Sequence, residues 1–357
     1  QLDRIKSMLS SCDPSKITTA ETTMPDDGYY HPPTLIQDVE TSDTLMQEEI
    51  FGPVLVSTTF RTPSEAVALA NNTRYGLAAS VWSENINLAL GMAPKLKAGV
   101  VWVNGTNFFD AGAGFGGTKE SGFGREGGWE GLMAYTRPVN VPKEPADYST
   151  KKTTPNRAAS INRTYKNYVG GKQSRPDGGY TKQISDSSNA ATYDIPISNR
   201  KDLRNAVEAA NKAIGWSSST GHLRSQILYY FAENLSARAD EFAALIDTFQ
   251  PRGMSGAEEV QATLETIFEC AAWSDKFDGD VRNVPVRGLA LSLNEPVGTI
   301  AAFTPESQAL LGLVRVIATN IAVGNRVIVF PSEINPVIAG ELIQVIETSD
   351  IPAGVVN

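Results

Sequence analysis

The stretches VGTIAAF at 297–303, LLGLVRVIATNI at 310–321, RVIVF at 326–330 and VIAGELIQVI at 337–346 decide the fold. The first and third are short, almost continuously apolar and rich in β-branched residues, as expected of strands covered on both faces. The second and fourth are longer and spread Leu, Val and Ile over most of a helical circumference, which suits helices buried against such strands. Strand, helix, strand, helix with connections this short is the start of a doubly wound parallel sheet, so the fold class is α/β.

Upstream of that unit the pattern is helical. Leu203, Ala206, Val207, Ala210 and Ile214 recur at amphipathic spacing, followed by Leu223, Ile227, Phe231 and Leu235. Phe242, Leu245, Ile246 and Phe249 predict a third helix, and Val260, Leu264, Ile267, Phe268 and Ala271 a fourth. Further upstream the composition changes. Residues 138–163 read PVNVPKEPADYSTKKTTPNRAASINR, too polar and too rich in proline to bury a core, and are expected to be a linker with one edge strand at its start. Residues 1–137 return to short helices alternating with strands: Leu2, Ile5 and Leu9 on one helix face, a helix opened by Thr62-Pro63, strands at Ala78–Trp82 and Gly99–Val103, and the helical Ile86–Leu96 between them. Three regions follow, 1–137, 138–163 and 164–357. The first residue is Gln1, and a helical pattern starts at Leu2, so the chain is read as a fragment of a larger protein.

The 357 residues carry a formal charge of −9 and only two cysteines, Cys12 and Cys270. The acidic balance argues against nucleic acid or an anionic membrane as partner, and leaves a small molecule or another subunit. Two separated cysteines make neither a disulfide framework nor a metal site, and a reducing, cytoplasmic setting is expected. No apolar run of about 18 residues and no secretory leader is visible.

The run Glu48-Glu49-Ile50-Phe51-Gly52-Pro53 sets a carboxylate two positions from an aromatic ring at a sharp turn. A carboxylate can accept both hydroxyls of a ribose and a ring can pack on a nicotinamide face. The same residues also suit a strand-end turn with a solvated glutamate. Gly112, Gly114 and Gly117 match GxGxxG, but no helix opens after the strand ending at Val103, and Gly122, Gly124, Gly127 and Gly128 follow. That arrangement is read as a mobile or ligand-lining loop rather than a phosphate loop. His31 and His222 lie beside no serine, cysteine or acid at a useful spacing, which leaves a Ser-His-Asp triad without support. Cys270 has apolar helix neighbours and reads as a core thiol, while Cys12 precedes Asp13, an anion that disfavours a thiolate.

EEIFGPV at 48–54, NNTRYGLAASVW at 71–82, AGVVWVN at 98–104 and FGGTKESGFGREGG at 115–128 together resemble the C-terminal third of an NAD(P)-dependent aldehyde dehydrogenase. YVGGK at 168–172, EPVG at 295–298, VGNRVIV at 323–329 and IPAGVVN at 351–357 resemble the N-terminal part of the same family. Tail first, linker, then head is the order at the junction of a tandem protein, and the family-16 aldehyde dehydrogenases have that two-module design. The resemblance implies doubly wound parallel sheets with oligomerisation strands, NAD or NADP as cofactor, an aldehyde substrate, and a homodimer paired through an edge strand around Tyr135–Val141. It places Glu49 and Phe51 on the nicotinamide ribose and ring, and Glu333 on a second cofactor ribose.

Two positions depart from the family pattern in the second module. Ser307 stands where an asparagine helps stabilise the oxyanion, and Phe330 where a lysine binds cofactor ribose. Loss of one oxyanion donor costs about 2.7–4 kcal/mol of transition-state stabilisation. Gly114 stands where the first module usually has proline. The implied parent enzyme oxidises an aldehyde to an acid through a cysteine thioester. Its cysteine lies outside this chain, so the chain alone is expected to be inactive, with no catalytic residue of its own. The alternative is a non-catalytic pseudo-dehydrogenase that serves oligomerisation or partner binding. No metal is expected.

Overall fold

The structure, a computed structural model, describes residues 1–25, 27–137, 162–185, 191–249, 253–277, 279–282, 284–285 and 288–357. It divides into two compact units, Gln1–Asn140 with Asp280–Ser292, and Val141–Gly279 with Leu293–Asn357.

In the first unit, helix α1 (Leu2–Ser10) buries Ile5 against Ile36, Val39, Leu45 and Ile50. Around it lie strands β1 (Ile17–Thr19), β2 (Thr34–Ile36) and β3 (Val54–Val56), with helix α2 (Thr44–Gln47) between the last two. β2 is antiparallel to β1 and parallel to β3. Helix α3 (Pro63–Asn71) starts where the sequence predicts: Pro63 supplies a preset φ, and the Thr62 hydroxyl accepts from the Glu65 amide at 3.2 Å. Next come β4 (Tyr75–Gly76), β5 (Ala78–Val81), α4 (Ile86–Met92), β6 (Val100–Val103), β7 (Thr118–Lys119) and α5 (Gly128–Met133). β5 and β6 run parallel across α4, with Val81, Ala89 and Leu96 as their small core. After α5 the Tyr135 and Thr136 amides donate back to Leu132 and Met133 at 3.1 Å each. Of the expected edge strand, Tyr135–Arg137 are described, and the first two of these residues turn their amides back onto α5. The rest of that strand, and the linker up to position 161, lie outside the described residues.

The second unit opens with β8 (Arg163–Thr164), β9 (Asn167–Val169), β10 (Lys172–Ser174), β11 (Thr181–Ser185) and β12 (Thr192–Pro196). β9 and β10 form a hairpin through Gly170 and Gly171, whose φ values of 61° and 74° are those a tight hairpin turn demands. β12 pairs antiparallel with β11 and parallel with β8. Four helices follow, α6 (Arg200–Lys212), α7 (Gly221–Ser236), α8 (Ala239–Phe249) and α9 (Gly256–Trp273). Reciprocal capping boxes start α6 at Asn199/Asp202 and α9 at Ser255/Glu258.

The antiparallel hairpin β13 (Asp280–Arg282) and β14 (Ala290–Ser292) belongs with the first unit, although the chain on either side belongs to the second. Its Arg282 grips Glu130 through two bonds of 2.7 and 2.6 Å, the Ser292 hydroxyl reaches the same carboxylate at 3.4 Å, and Val284 is buried.

The second unit resumes with β15 (Thr299–Phe303), α10 (Ala309–Ala322), β16 (Arg326–Phe330) and α11 (Pro336–Glu347). β15 and β16 are parallel, Thr299 opposite Arg326 and Phe303 opposite Phe330. The chain end continues the sheet, with Val327 donating to Val355 at 2.8 Å and Asn357 to Val327 at 2.9 Å. The α/β class and its parallel sheets are thus as the sequence reads. One core joins all four preceding helices but α6 to α10 and α11, centred on Phe231, Phe242, Ile267, Ile317 and Leu342, all almost wholly buried. Full burial of such a side chain stabilises by about 1.5–3 kcal/mol. Two buried carboxylates tie it together. Glu259 accepts from the Leu310 and Leu311 amides at 2.9 and 3.1 Å, and Glu341 is held by Arg163, by Arg238 at 3.0 Å and by the Tyr165 hydroxyl at 2.5 Å.

Candidate functional site

Residues 48–53 are fixed from below by α1. The Gln1 side chain donates to the Ile50 and Phe51 carbonyls at 2.9 and 3.0 Å, and Arg4 donates to the Glu49 carbonyl at 3.1 Å. Ile50 is buried, so its neighbours on either side turn outward. The two glutamates then differ. Glu48 is paired with Arg74 at 2.7 Å, and Arg74 also approaches Glu120 at 3.3 Å. Glu49 is exposed, and its carboxylate has no hydrogen-bond or ionic partner among the described residues. Phe51 has φ 55° and its ring is 71% exposed. A non-glycine residue in the left-handed region is strained by about 1–2 kcal/mol, and here the strain presents an aromatic face to solvent. Gly52 packs closely on α1: a Cβ there would lie 2.4 Å from Ile5 Cδ1, and that side chain would have to shift. Glu49 also lines a cavity of about 530 Å³ with Glu48, Asn71, Leu77 and Lys97; Phe51 does not line it.

The glycine-rich segment behind this turn has a packing explanation. A Cβ on Gly99 would lie 1.7 Å from the Gly116 carbonyl oxygen, and one on Gly116 would lie 2.1 Å from that of Gly124. These glycines let backbone cross backbone, while α5 begins only at Gly128, well after β6 ends.

In the second unit Ser307 and Glu333 occupy the loops after the carboxyl ends of β15 and β16, and both are exposed. The sequence reading did not single out Glu306. Its carboxylate accepts from the Ser332 hydroxyl, from the Ile334 amide at 3.1 Å and from the Glu333 amide at 3.4 Å, while Asn335 donates to its carbonyl at 3.1 Å. The Ser332 bond, with the two amides, holds the Glu306 carboxyl below its ordinary pKa. Beside it, the Phe303 and Phe330 rings stack at 4.5 Å with 18° between planes. These strand ends thus carry an exposed carboxylate, held by Ser332 and the neighbouring amides, and a stacked aromatic pair whose Phe303 is itself exposed. Phe303 opposite Phe330 brings the two loops together, a pairing that the sequence alone does not reveal.

The aldehyde dehydrogenase family model matches residues 1–141 and 174–357. The chain belongs to the aldehyde dehydrogenase family. It is 53% identical over 100 residues to aldehyde dehydrogenase B of Escherichia coli (strain K12), covering 28% of this chain and 19% of that protein. It is 47% identical over 116 residues to the mitochondrial aldehyde dehydrogenase of Equus caballus, covering 32% of this chain and 23% of that one. The aldehyde dehydrogenase chain thus spans about a fifth to a quarter of these relatives' lengths. Among solved structures it is similar to an NAD-dependent aldehyde dehydrogenase from Sinorhizobium meliloti, with TM-score 0.51 and 25% identity over 56% of this chain and 41% of that one. It is likewise similar to a 3,6-anhydro-L-galactose dehydrogenase in complex with NAP, with TM-score 0.50 and 25% identity over 54% and 42%.

The free carboxylate of Glu49 and the presented ring of Phe51 fit a nicotinamide nucleoside. Among the described residues there is no cluster of metal ligands and no helix long and apolar enough to cross a membrane. Cys270 is buried on α9, where burial raises its thiol pKa, and Cys12 points its thiol at the Asp13 carbonyl at 3.7 Å.

Proposed function

We propose that this chain is the junction of two aldehyde dehydrogenase modules, the first ending at 137, the second opening at 164, with 138–163 as linker. The order of the motifs supports this, as does the family match in two separate stretches. The first module takes part in oxidising an aldehyde to a carboxylic acid with NAD or NADP. When bound, the cofactor accepts a hydride. Glu49 receives the hydroxyls of its nicotinamide ribose and Phe51 packs on the ring, so that the pair orients the hydride acceptor. The observation carrying this reading is that Glu49, unlike Glu48, keeps its carboxylate free beside a strained, outward-facing Phe51.

Cys270 does not supply the nucleophile, since burial raises its thiol pKa and denies access, and Cys12 turns its thiol to the Asp13 carbonyl. The thioester-forming cysteine then comes from outside these residues. The purified chain given an aldehyde with NAD+ or NADP+ is expected to produce no reduced cofactor; its appearance by absorbance would overturn the proposal.

A second reading applies to the second module. Ser307 and Phe330 at its strand ends support a non-catalytic role in assembly, in a homodimer of the parent protein. The two free thiols fit the reducing conditions of the cytoplasm.

A further inference from the structure

We propose that the amino ends of β15 and β16 form a binding site for a small oxyanion, a phosphate or carboxylate group, built on Arg326 and Arg224. Arg326 starts β16 opposite Thr299, at the end of the strands remote from Phe303 and Phe330. The side chain enters the protein: the residue is 6% exposed. It donates from Nη1 to the Ser217 hydroxyl and from Nη2 to that of Thr299 at 3.2 Å, while Nε is buried without any partner. Arg224, on α7, is 8% exposed and donates to the carbonyls of Ala322, at 2.8 Å, and Ser219. All these acceptors are neutral, and neither guanidinium has a carboxylate partner among the described residues. Burial lowers the pKa of both, but an arginine stays charged in a protein.

The two cations share one neighbourhood. Ser217, which accepts from Arg326, donates to the Gly324 carbonyl at 3.1 Å. A Cβ on Gly324 would lie 3.6 Å from Arg224 Nη1, and one on Gly298 would have only Arg326 Nη2 within contact, at 3.8 Å. Both are ordinary van der Waals distances, so one further atom fits at each glycine without a clash, although at Gly324 it would also touch Ser217 Cα at 3.5 Å and Pro296 Cγ at 3.6 Å. Gly298 and Gly324 have φ values of 125° and 88°, conformations that keep side chains out of that space. Two buried positive charges with neutral partners and an orphaned N–H are a costly arrangement in a protein without an anion beside them. They suit an oxyanion, whose oxygens match the planar guanidinium fork; Nε is enclosed, so a small shift of the Arg326 side chain would bring its N–H to the ligand. The site stands apart from the strand ends discussed above and does not depend on the role given to the second module.

Thermal unfolding of the 357-residue chain in chloride, acetate and inorganic phosphate at matched ionic strength tests this. The melting temperature is expected to rise with phosphate or acetate and to saturate, as mass action requires of a ligand bound only by the folded state. In chloride it is expected to stay level. Arg326→Met should melt at or above the parent in chloride, because a buried uncompensated charge is gone, and should not respond to either oxyanion. Arg326→Lys keeps the charge without Nε and should need at least tenfold more phosphate for half the rise. A flat parent response, an equal response in chloride, or an unchanged response in Arg326→Met would overturn the proposal. Should Arg326→Met not fold, a lysine variant responding like the parent would overturn it alone.

Discussion

Phe51 and Glu306 show two ways in which single residues set what a strand end can do. Phe51 holds φ 55° with little of its ring buried, so the conformation is sustained by the anchoring of its neighbours and not by its own packing. Phe51→Gly should therefore leave thermal stability about unchanged, relief of roughly 1 kcal/mol of backbone strain offsetting the added freedom of the unfolded chain. A large fall in melting temperature would mean that the ring has a structural task instead. For Glu306 the opposite holds. Ser332 beneath it is 3% exposed, so Glu306→Ala leaves a buried O–H without its acceptor, although Oγ still accepts from the Asn335 amide at 2.9 Å, and should cost about 1–3 kcal/mol, read by denaturant unfolding. Its folded pKa is depressed, so its contribution is fully present above the unfolded value of about 4.3 and is lost as pH falls through the lower folded value. The melting difference between the parent and Glu306→Gln should hold from neutrality to about pH 5 and shrink below about pH 4; a constant difference down to pH 3 would remove the carboxylate from the account. Glu49 and Phe51 could be singled out from the sequence because they are near neighbours in it. Glu306 could not, because its partners are set by a strand pairing that only the folded sheet defines.

At the scale of elements, periodicity sufficed wherever a helix packs one face against the core. Phe231, Leu235, Phe242 and Ile246 lie on predicted faces and are wholly buried. Local chemistry also sufficed for starts, as at Thr62-Pro63 and Gly170-Gly171. The hairpin of β13 and β14 was beyond such reasoning. Its strands are short, and its place is fixed by a contact to a residue far away in sequence, Glu130. That contact should be measurable. Glu130 is partly exposed, which limits the value of its ion pair with Arg282 to about 1 kcal/mol after solvent screening. Arg282→Ala is expected to speed proteolytic cleavage within Asp280–Ser292 severalfold, and Glu130→Arg combined with Arg282→Glu to slow it again. Equal cleavage of the parent and Arg282→Ala would show that Val284 and the backbone hold the hairpin unaided.

For the molecule as a whole, the surface of the first unit matters most. Trp82, Phe123, Trp129 and Tyr135 are each more than 60% exposed, apolar area that association with another subunit would cover. Light scattering on the parent protein is expected to give a dimer, and a monomer at micromolar concentration would contradict the assembly role. One consequence of the hairpin's position concerns time. The ribosome delivers residues 1–140 well before 280–292, although both belong to the same unit. At about 5–20 residues per second, the intervening stretch of some 140 residues takes roughly 7–28 s to make. Throughout that interval the glycine-rich loop and Glu130 wait without the strands that will cover them, and the first unit can be completed only after most of the second unit's helices have emerged. Nascent-chain quality control would therefore meet the first unit half-finished on every round of synthesis, and slowing translation between α5 and β13 would lengthen that exposure without altering a single side chain.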